Sequence, residues 1–348
     1  MTTMTETSRL VTGGVDTHAD TNIAAIVDEL GRVLGTAGFA TTETGHRRLL
    51  DWLRRHGDLE RVGVEGTGAY GAGLARFLTA EGVTVVEVDR PDRKARRLKG
   101  KSDPVDAEAA ARAALSGRAA GTPKTRDGNV EAIRALRVVR RSAVQNRTQA
   151  INQLRNLLLT APAELRDRLR PQPIRDVITI AGRFRPGPLT TPTAATKFAL
   201  RELAVRIVDL DTQIGRLDAE IAPLVAATAP QLLELHGVGT EVAATLLVTV
   251  GDNPHRLANE AAFAHLCGVA PIPASSGRTT RHRLNRGGDR AANHALWRIA
   301  MVRMSCHPPT RAYVARRTAE GLSKRDILRC LKRYIAREVF NALPRTST

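Results

Sequence analysis

The first hundred residues alternate short β-branched runs with turns, and then with helical periods. The predicted elements are strands at 10–16, 21–28 and 33–41, a helix at 44–57, a strand at 61–65, a helix at 71–82 and a strand at 83–89. The short links between the first three strands favour antiparallel hairpins. Strands separated by helices then favour a sheet with helices packed on it.

This order of elements is the ribonuclease H-like arrangement, a mixed sheet flanked by helices. We therefore predict an α/β domain over residues 1–125. In such a sheet the first and fourth strands are neighbours, so their carboxyl ends lie at the same edge.

After residue 126 the hydrophobic period becomes helical, which predicts a helical, coiled-coil middle region over residues 126–228. Apolar residues spaced alternately by four and three form a seam that needs a partner helix. The seam consists of Leu203, Ile207, Leu210, Ile214, Leu217, Ile221 and Leu224. The candidate partner is residues 130–159, although Arg140 and Arg147 interrupt its repeat. The hairpin either closes on itself or pairs with a second subunit, and the Pro- and Thr-rich residues 161–198 are predicted to be a long connection outside the core.

A third, mainly helical domain is predicted over residues 229–348. The stretch "LHGVGTEVAATLL" at 235–247 places Gly237 and Gly239 before a helix. This is the form of a helix-hairpin-helix turn, whose backbone N–H groups hold a phosphate. A plain glycine-rich helix start would have a similar sequence.

The positive charge lies entirely in the last two thirds of the chain. Residues 1–120 contain 17 Lys and Arg against 17 Asp and Glu, so the net charge of +18 arises after them. Residues 278–345 contain 17 basic and only 4 acidic side chains. This density suits a phosphate backbone, so nucleic acid is the expected partner and Arg329, Lys332 and Arg333 are predicted contacts.

Composition disfavours several other classes of protein. The apolar run at 242–250 is too short to span a bilayer and no signal peptide opens the chain, so we expect no membrane association. Cys267, Cys306 and Cys330 lack metal-ligand spacing, which argues against a zinc ribbon or a disulfide framework. Aromatic residues are only 3% of the chain, which makes base stacking an improbable mode of recognition. A cytoplasmic, nucleoid-associated protein is expected.

Carboxylates recur at positions that a ribonuclease H-like sheet would bring together. Asp16 ends the first predicted strand, Glu65 ends the fourth, and "KSDPVDAE" at 101–108 places Asp103 and Asp106 at a helix start. Helix capping by Asp103, with Pro104 at the first helical position, is the alternative explanation for that stretch. Four converging acids would repel one another unless a divalent cation neutralised them. We therefore predict a site for one or two Mg²⁺ ions.

These segments resemble the insertion-sequence one-ten (IS-one-ten) family of bacterial transposases, also called DEDD transposases. The resemblance covers nearly the whole chain. Its motifs are "GVDTH", "VEGTGAYG" and "KSDPVDAEAAA" in a RuvC-like domain, and "LHGVGTEVAATLL", "FAHLCGVAPIPASSGR" and "LNRGGDRAANHAL" in the C-terminal domain. The resemblance implies that Asp16, Glu65, Asp103 and Asp106 are the catalytic, metal-binding tetrad and that Ser276 is the nucleophile.

The resemblance also implies recombination of donor and target DNA through a covalent phosphoserine link. Tetrad and serine would be supplied to one composite site, in a homodimer or tetramer. A noncoding bridge RNA would select the DNA by base pairing. Arg278, Arg281 and Arg283 would hold the scissile phosphate beside Ser276, and the adjacent Ser275 is the competing nucleophile.

Two other functions remain open from the sequence. A RuvC-like Holliday-junction nuclease would hydrolyse DNA with the tetrad and would need no serine. A noncatalytic nucleic-acid-binding relic would bind DNA without cutting it, although the four acids and the serine argue against that function.

Overall fold

The computed structural model describes residues 9–88, 102–278 and 282–344. These residues form two compact units. The first unit contains residues 9–88, 102–126 and 250–258, and the second contains the remaining described residues. The division into three domains stays a prediction.

The first unit is built on a five-stranded mixed sheet. Its strands are β1 (Leu10–Thr17), β2 (Thr21–Asp28), β3 (Val33–Ala40), β4 (Asp58–Glu65) and β5 (Thr84–Val88). The strand order is β3-β2-β1-β4-β5, in which β1, β2 and β3 are antiparallel and the β1–β4 and β4–β5 pairs are parallel. The sheet confirms the predicted mixed α/β architecture and is consistent with a ribonuclease H-like arrangement.

One face of the sheet is covered by α1 (Glu43–Arg54) and α2 (Ala72–Ala80). Thr42 caps α1 by accepting a hydrogen bond from the Gly45 N–H at 3.1 Å. The apolar residues of both helices are buried with the inward residues of β1, β2 and β4 in one hydrophobic cluster. This core holds β1 and β4 in fixed register; Glu65 is the last residue of β4, and Asp16 is the second-last residue of β1.

The other face is covered by α3 (Asp103–Leu115), which contacts β1, β2 and β4. Its buried face is made of alanines, namely Ala107, Ala110, Ala111 and Ala114. They lie against glycines of the sheet: a Cβ at Gly63 would lie 2.6 Å from the Ala110 carbonyl oxygen, and one at Gly14 would lie 2.7 Å from the Ala111 Cα. Alanine on the helix and glycine on the strands therefore allow α3 to pack unusually close to the sheet.

The second unit is mostly helical, as predicted for the C-terminal part of the chain. Its helices are α4 (Asn129–Leu159), α5 (Ala163–Leu169), α6 (Ile174–Gly182), α7 (Pro192–Thr228), α8 (Pro230–Glu234), α9 (Thr240–Val250), α10 (Glu260–Leu266), α11 (Arg290–Cys306), α12 (Pro308–Ala319) and α13 (Lys324–Ala342). The last residue of α9, Val250, is assigned to the first unit. A two-stranded hairpin, β6 (Ile272–Pro273) and β7 (His282–Arg283), precedes α11.

The two long helices α4 and α7 pack against each other within the chain, and ion pairs across them run in antiparallel register. Arg140 of α4 pairs with Asp218 of α7, and Arg147 pairs with Asp211. The two arginines that interrupt the apolar repeat of α4 are thus each matched by an aspartate beside the seam of α7. This pairing favours the hairpin that closes on itself, while the coiled coil stays a prediction.

The prediction that residues 161–198 are a long connection outside the core is wrong. That stretch contains α5, α6 and the start of α7, and its Leu165, Leu169, Val177 and Ala181 are buried in the core of the hairpin. The prolines misled the prediction because Pro162 and Pro173 are the N-cap residues of α5 and α6. Proline at a helix start removes no needed hydrogen bond, so it begins these helices instead of breaking them.

None of the helices in the described part of the chain combines the length and the apolar character that crossing a bilayer demands.

Candidate functional site

Two of the predicted acids lie at the carboxyl ends of neighbouring parallel strands. Val15 of β1 pairs with Val64 of β4, so Asp16 and Glu65 follow at the same level. The Thr17 hydroxyl ties the strand ends together by donating to the Glu65 carbonyl oxygen at 2.8 Å. Asp16 is buried and Glu65 is half-buried.

Side-chain alternation decides which face of the sheet these acids share. Gly14 and Gly63 both face α3, and side chains two residues apart on a strand point to the same face. Asp16 and Glu65 are therefore on the α3 side of the sheet. The glycines that allow the helix to approach thus lie two residues before the two acids along their strands.

The other two acids lie in the first turn of α3. Asp106 is buried and Asp103 is exposed. Capping by Asp103 is not observed: Ser102 is the N-cap residue, and α3 has no capping hydrogen bond from a side chain. The helix starts one residue earlier than that alternative requires, so Asp103 is free of a capping role.

A histidine that the sequence analysis did not single out lies between these acids. The Nε2 atom of His18 is 3.2 Å from Asp16 Oδ2 and 3.5 Å from Asp103 Oδ1. One potential ligand atom from each of these three residues lies within 4.8 Å of the others. The signal was present in "GVDTH", because a residue two positions after Asp16 at a strand end falls on the same side of the chain. Among the described residues, this group consists of Asp16, His18 and Asp103, and Glu65 and Asp106 are not part of it.

The electrostatics of the cluster suit a cation. Burial raises the pKa of the Asp16 carboxyl above its usual value, because burial disfavours the charged form. His18 opposes this shift, whereas Asp106 and Asp103 raise the pKa further by repulsion between like charges. A divalent cation bound to these oxygens would remove the repulsion, so the donor set fits a metal ion.

The predicted nucleophile lies in the second unit. Ser276 is exposed in the loop between β6 and β7. Gly277 follows it with φ of 56°, a left-handed conformation that favours glycine and turns the chain directly after the serine. Arg278 is exposed on this loop and Arg283 is exposed on β7, whereas Arg281 lies outside the described residues.

The glycine turn at 237–239 is held by internal contacts. The Val238 N–H donates to the Leu235 carbonyl oxygen at 3.0 Å, and Arg303 Nε donates to the His236 carbonyl oxygen at 2.8 Å. A Cβ at Gly239 would meet no atom within 4 Å. The turn is therefore rigid on its protein side and open at Gly239, a geometry compatible with the predicted phosphate contact.

The three cations predicted to bind nucleic acid on α13 already have protein partners. Arg329 pairs with Asp326 at 2.8 Å, and Lys332 Nζ donates to Asn293 Oδ1 at 2.9 Å. Arg333 forms two hydrogen bonds of 2.9 Å with Glu260, whose pKa the arginines Arg333 and Arg337 lower to about 2. Nucleic-acid binding by these residues stays a prediction, and their observed contacts link α13 to α10 and α11.

The chain matches two family models. Residues 13–161 match the DEDD transposase model of the IS110 type, described as a transposase, and residues 229–315 match the model described as "Transposase IS116/IS110/IS902 family". The first match contains all four predicted acids, and the second contains the glycine turn and the serine loop.

Three curated proteins of insertion elements are similar to this chain. The mini-circle putative transposase for IS117 of Streptomyces coelicolor is 27% identical over 91% of this chain and 90% of its own length. The insertion element IS110 uncharacterized 43.6 kDa protein of the same organism is 33% identical over 40% of this chain and 35% of its own length. The insertion element IS900 uncharacterized 42 kDa protein of Mycobacterium paratuberculosis is 32% identical over 37% of this chain and 32% of its own length. The alignments therefore span about a third of the IS110 and IS900 proteins and nearly all of the IS117 protein.

Both family models describe transposases, and the relative aligned along nearly the whole chain is named a putative transposase. The chain belongs to the IS110 family of transposases.

Proposed function

We propose that this protein cuts and rejoins DNA strands at the carboxylate cluster beside the β1 and β4 strand ends. The observation that supports this function most directly is the convergence of Asp16, His18 and Asp103, with Asp106 acting electrostatically on Asp16. A set of mutually repelling acids at one sheet edge is unfavourable for the fold alone, so a functional ligand explains it better than stability does.

Asp16, Glu65, Asp103 and Asp106 would hold the metal, and His18 would fix the orientation of the Asp16 carboxylate through their hydrogen bond. A bound divalent cation such as Mg²⁺ would polarise the scissile phosphodiester and neutralise the charge that develops during cleavage. The buried Asp16 and Asp106 restrict where the ligand oxygens can move, because both side chains are enclosed by the packing of α3 on the sheet.

Ser276 would be the nucleophile of a covalent step. Its hydroxyl loses a proton, the Oγ atom forms a bond to phosphorus, and the bond from phosphorus to one deoxyribose oxygen breaks. That oxygen leaves with the bonding electrons and takes up a proton. The exposed loop, Gly277 and the adjacent Arg278 support this assignment, because they leave the hydroxyl accessible beside a cation that can bind phosphate.

The choice of donor and target DNA would be made by a noncoding bridge RNA. This part of the proposal rests on the family resemblance, and the basic C-terminal residues are consistent with binding nucleic-acid backbones. The working species would be a homodimer or tetramer.

The function can be tested with a plasmid that carries the ends of the element, Mg²⁺, and RNA transcribed from its noncoding flank. Asp16→Asn should abolish strand joining, whereas Asp20→Asn, an exposed acid four residues away, should retain it. Retention of full activity by Asp16→Asn would contradict the metal site.

The serine step is tested on denaturing gels of stopped reactions. The wild-type protein should migrate with covalently attached DNA, and Ser276→Ala should bind DNA without forming this adduct. An adduct that persists in Ser276→Ala and disappears in Ser275→Ala would move the nucleophile to Ser275. Cleaved DNA without any adduct in the wild type would favour the hydrolytic nuclease.

A further inference from the structure

An apolar and cationic surface on α11 takes no part in the proposed chemistry. The opposite side of this helix is buried through Ala292, Ala295, Leu296, Ile299 and Ala300. The α11 face, defined here as His294, Trp297, Arg298, Met301 and Val302, is exposed. Trp297, Met301 and Val302 have relative exposures of 39, 37 and 43%. A surface helix normally presents polar residues to water, so a cluster of this kind indicates a binding surface.

Two rings on the α11 face are already stacked. The centroids of His294 and Trp297 are 5.3 Å apart and their planes differ by 28°. The chain has only two tryptophans, and the other, Trp52, is half-buried in the first unit. An exposed indole held by a neighbouring ring has little conformational freedom left to lose, so it can bind a further flat group at low entropic cost.

The charges around the rings select an anionic partner. Arg290–Cys306 contains no Asp or Glu, and Asp289, directly before it, is engaged as the N-cap of α11. Arg290 and Arg298 are exposed and form no ion pair with a described residue, whereas Arg303 is buried and paired with Glu338. Arg290, His294, Trp297 and Arg298 share one stripe of the helix by their spacing. The stripe therefore offers an aromatic platform between two cations.

The α11 face also continues to the glycine turn. A Cβ at Gly237 would lie 3.4 Å from the Val302 Cγ1 atom and from the Ile299 carbonyl oxygen. The turn compatible with a phosphate contact thus borders the α11 face within the second unit. One extended polyanion could contact both.

We propose that the α11 face binds single-stranded DNA, with one unpaired base stacked on Trp297 and neighbouring phosphates bound by Arg290 and Arg298. Stacking on an aromatic ring requires a base whose face is free, which selects a single strand over a duplex. The inference rests on the proposed function for the class of ligand, because a transposase that opens and rejoins strands exposes unpaired bases. Base stacking, which the low aromatic content disfavours, is here restricted to one well-placed ring.

The test uses Trp297 as its own reporter. Trp52→Phe leaves Trp297 as the sole tryptophan of the full-length protein. The probes are a short single-stranded DNA, the same strand in a duplex, an abasic strand of equal length, and an RNA of the same sequence. The single-stranded DNA should quench Trp297 emission, whereas the abasic strand should bind without quenching. If Trp52→Phe does not fold, the difference between wild type and Trp297→Phe isolates the same signal.

Binding strength is measured independently by the anisotropy of a labelled oligonucleotide. Trp297→Ala should weaken binding of the single strand by about 5- to 150-fold, the range expected for one stacked base, and Trp297→Phe should recover most of the loss. Arg298→Ala should reduce the slope of log affinity against log salt by about 0.7, as expected for one phosphate contact on a single strand. Val208→Ala, at an exposed apolar residue of α7, is the matched control and should leave binding unchanged.

Four results would overturn the inference. The first two are DNA binding with unchanged Trp297 emission and equal DNA affinities of the Trp297→Ala and Val208→Ala variants. The third is a clear preference for the RNA over the single-stranded DNA. The fourth is a shift of Trp297 emission with protein concentration alone, which would assign the α11 face to a second copy of the chain. Each leaves the proposed transposase function standing, because strand joining is measured separately. Absence of nucleic-acid binding by anisotropy would instead contradict both proposals.

Discussion

Gly14 is the position where a single methyl group should separate the sheet from the helix that carries Asp103 and Asp106. The Cβ of Gly14→Ala would lie 2.7 Å from the Ala111 Cα and closer still to the Ala111 nitrogen and the Ala107 carbonyl oxygen. All three are backbone atoms of α3, so no side chain can rotate away. We expect the helix to shift as a body.

The size of the shift follows from ordinary contact distances. A normal contact lies at 3.4–4 Å, so the Ala111 Cα must retreat by at least about 0.7 Å. Overpacking of this kind costs about 1–3 kcal/mol. The same movement should carry Asp103 and Asp106 away from Asp16 and weaken metal binding, because a cation site tolerates little displacement of its ligands.

The assay is denaturant unfolding with and without Mg²⁺. Gly14→Ala should lower the free energy of unfolding by about 1–3 kcal/mol. It should also lose the stabilisation that Mg²⁺ binding at the proposed site would give the wild type, which is about 2.7 kcal/mol at a 100-fold excess over the dissociation constant. The control is Gly38→Ala in β3 of the same sheet, where the nearest atom is a movable methyl of Ile23 at 3.3 Å. Equal stability and equal Mg²⁺ response of the two variants would refute the close-packing explanation.

Three further outcomes are expected. Glu260→Gln should destabilise the protein at neutral pH, because Arg333 and Arg337 lower the pKa of Glu260 to about 2 and the ionised carboxylate then stabilises the fold. The difference in stability between the variant and the wild type should vanish as the pH falls from about 4.5 towards 2, where the carboxylate becomes protonated. Urea unfolding across that pH range measures this difference. Arg333→Ala should lower the melting temperature, whereas Arg298→Ala, which has no ion pair with a described residue, should not, as calorimetry would show. A double-mutant cycle of Arg140→Ala and Asp218→Ala should give a coupling of about 0.5 kcal/mol, and a coupling of zero would remove the pair from the determinants of hairpin register.

Local periodicity was sufficient to predict much of the first unit. Short β-branched runs bounded by turns identify β1, β2 and β3, and the change to helical period identifies α1 and α2. The positions of Asp16 and Glu65 at strand ends followed from the same patterns. Their common edge followed from the order of the strands.

The prolines and His18 show where local patterns failed. A proline such as Pro162 or Pro173 is as common in a loop as at the start of a helix, so composition cannot separate these two environments. The burial of Leu165 and Leu169 in the hairpin core shows that this stretch is helical and packed. His18 differs from any exposed histidine only by its distances to Asp16 and Asp103. The second carboxylate is 85 residues away in sequence, so spacing carries no information about it.

Charge patterns were decided almost entirely by tertiary structure. Counting cations located the basic part of the chain, yet it led to Arg333 as a predicted nucleic-acid contact and left Arg298 unnamed. In the folded chain Arg333 is neutralised by Glu260 from another helix, whereas Arg298 stands beside an exposed tryptophan with no described acid near enough to pair. The composition of a segment states only how many charges it contains. Whether a charge is available to a ligand depends on long-range contacts, because a Coulomb interaction is set by distance in space and by burial.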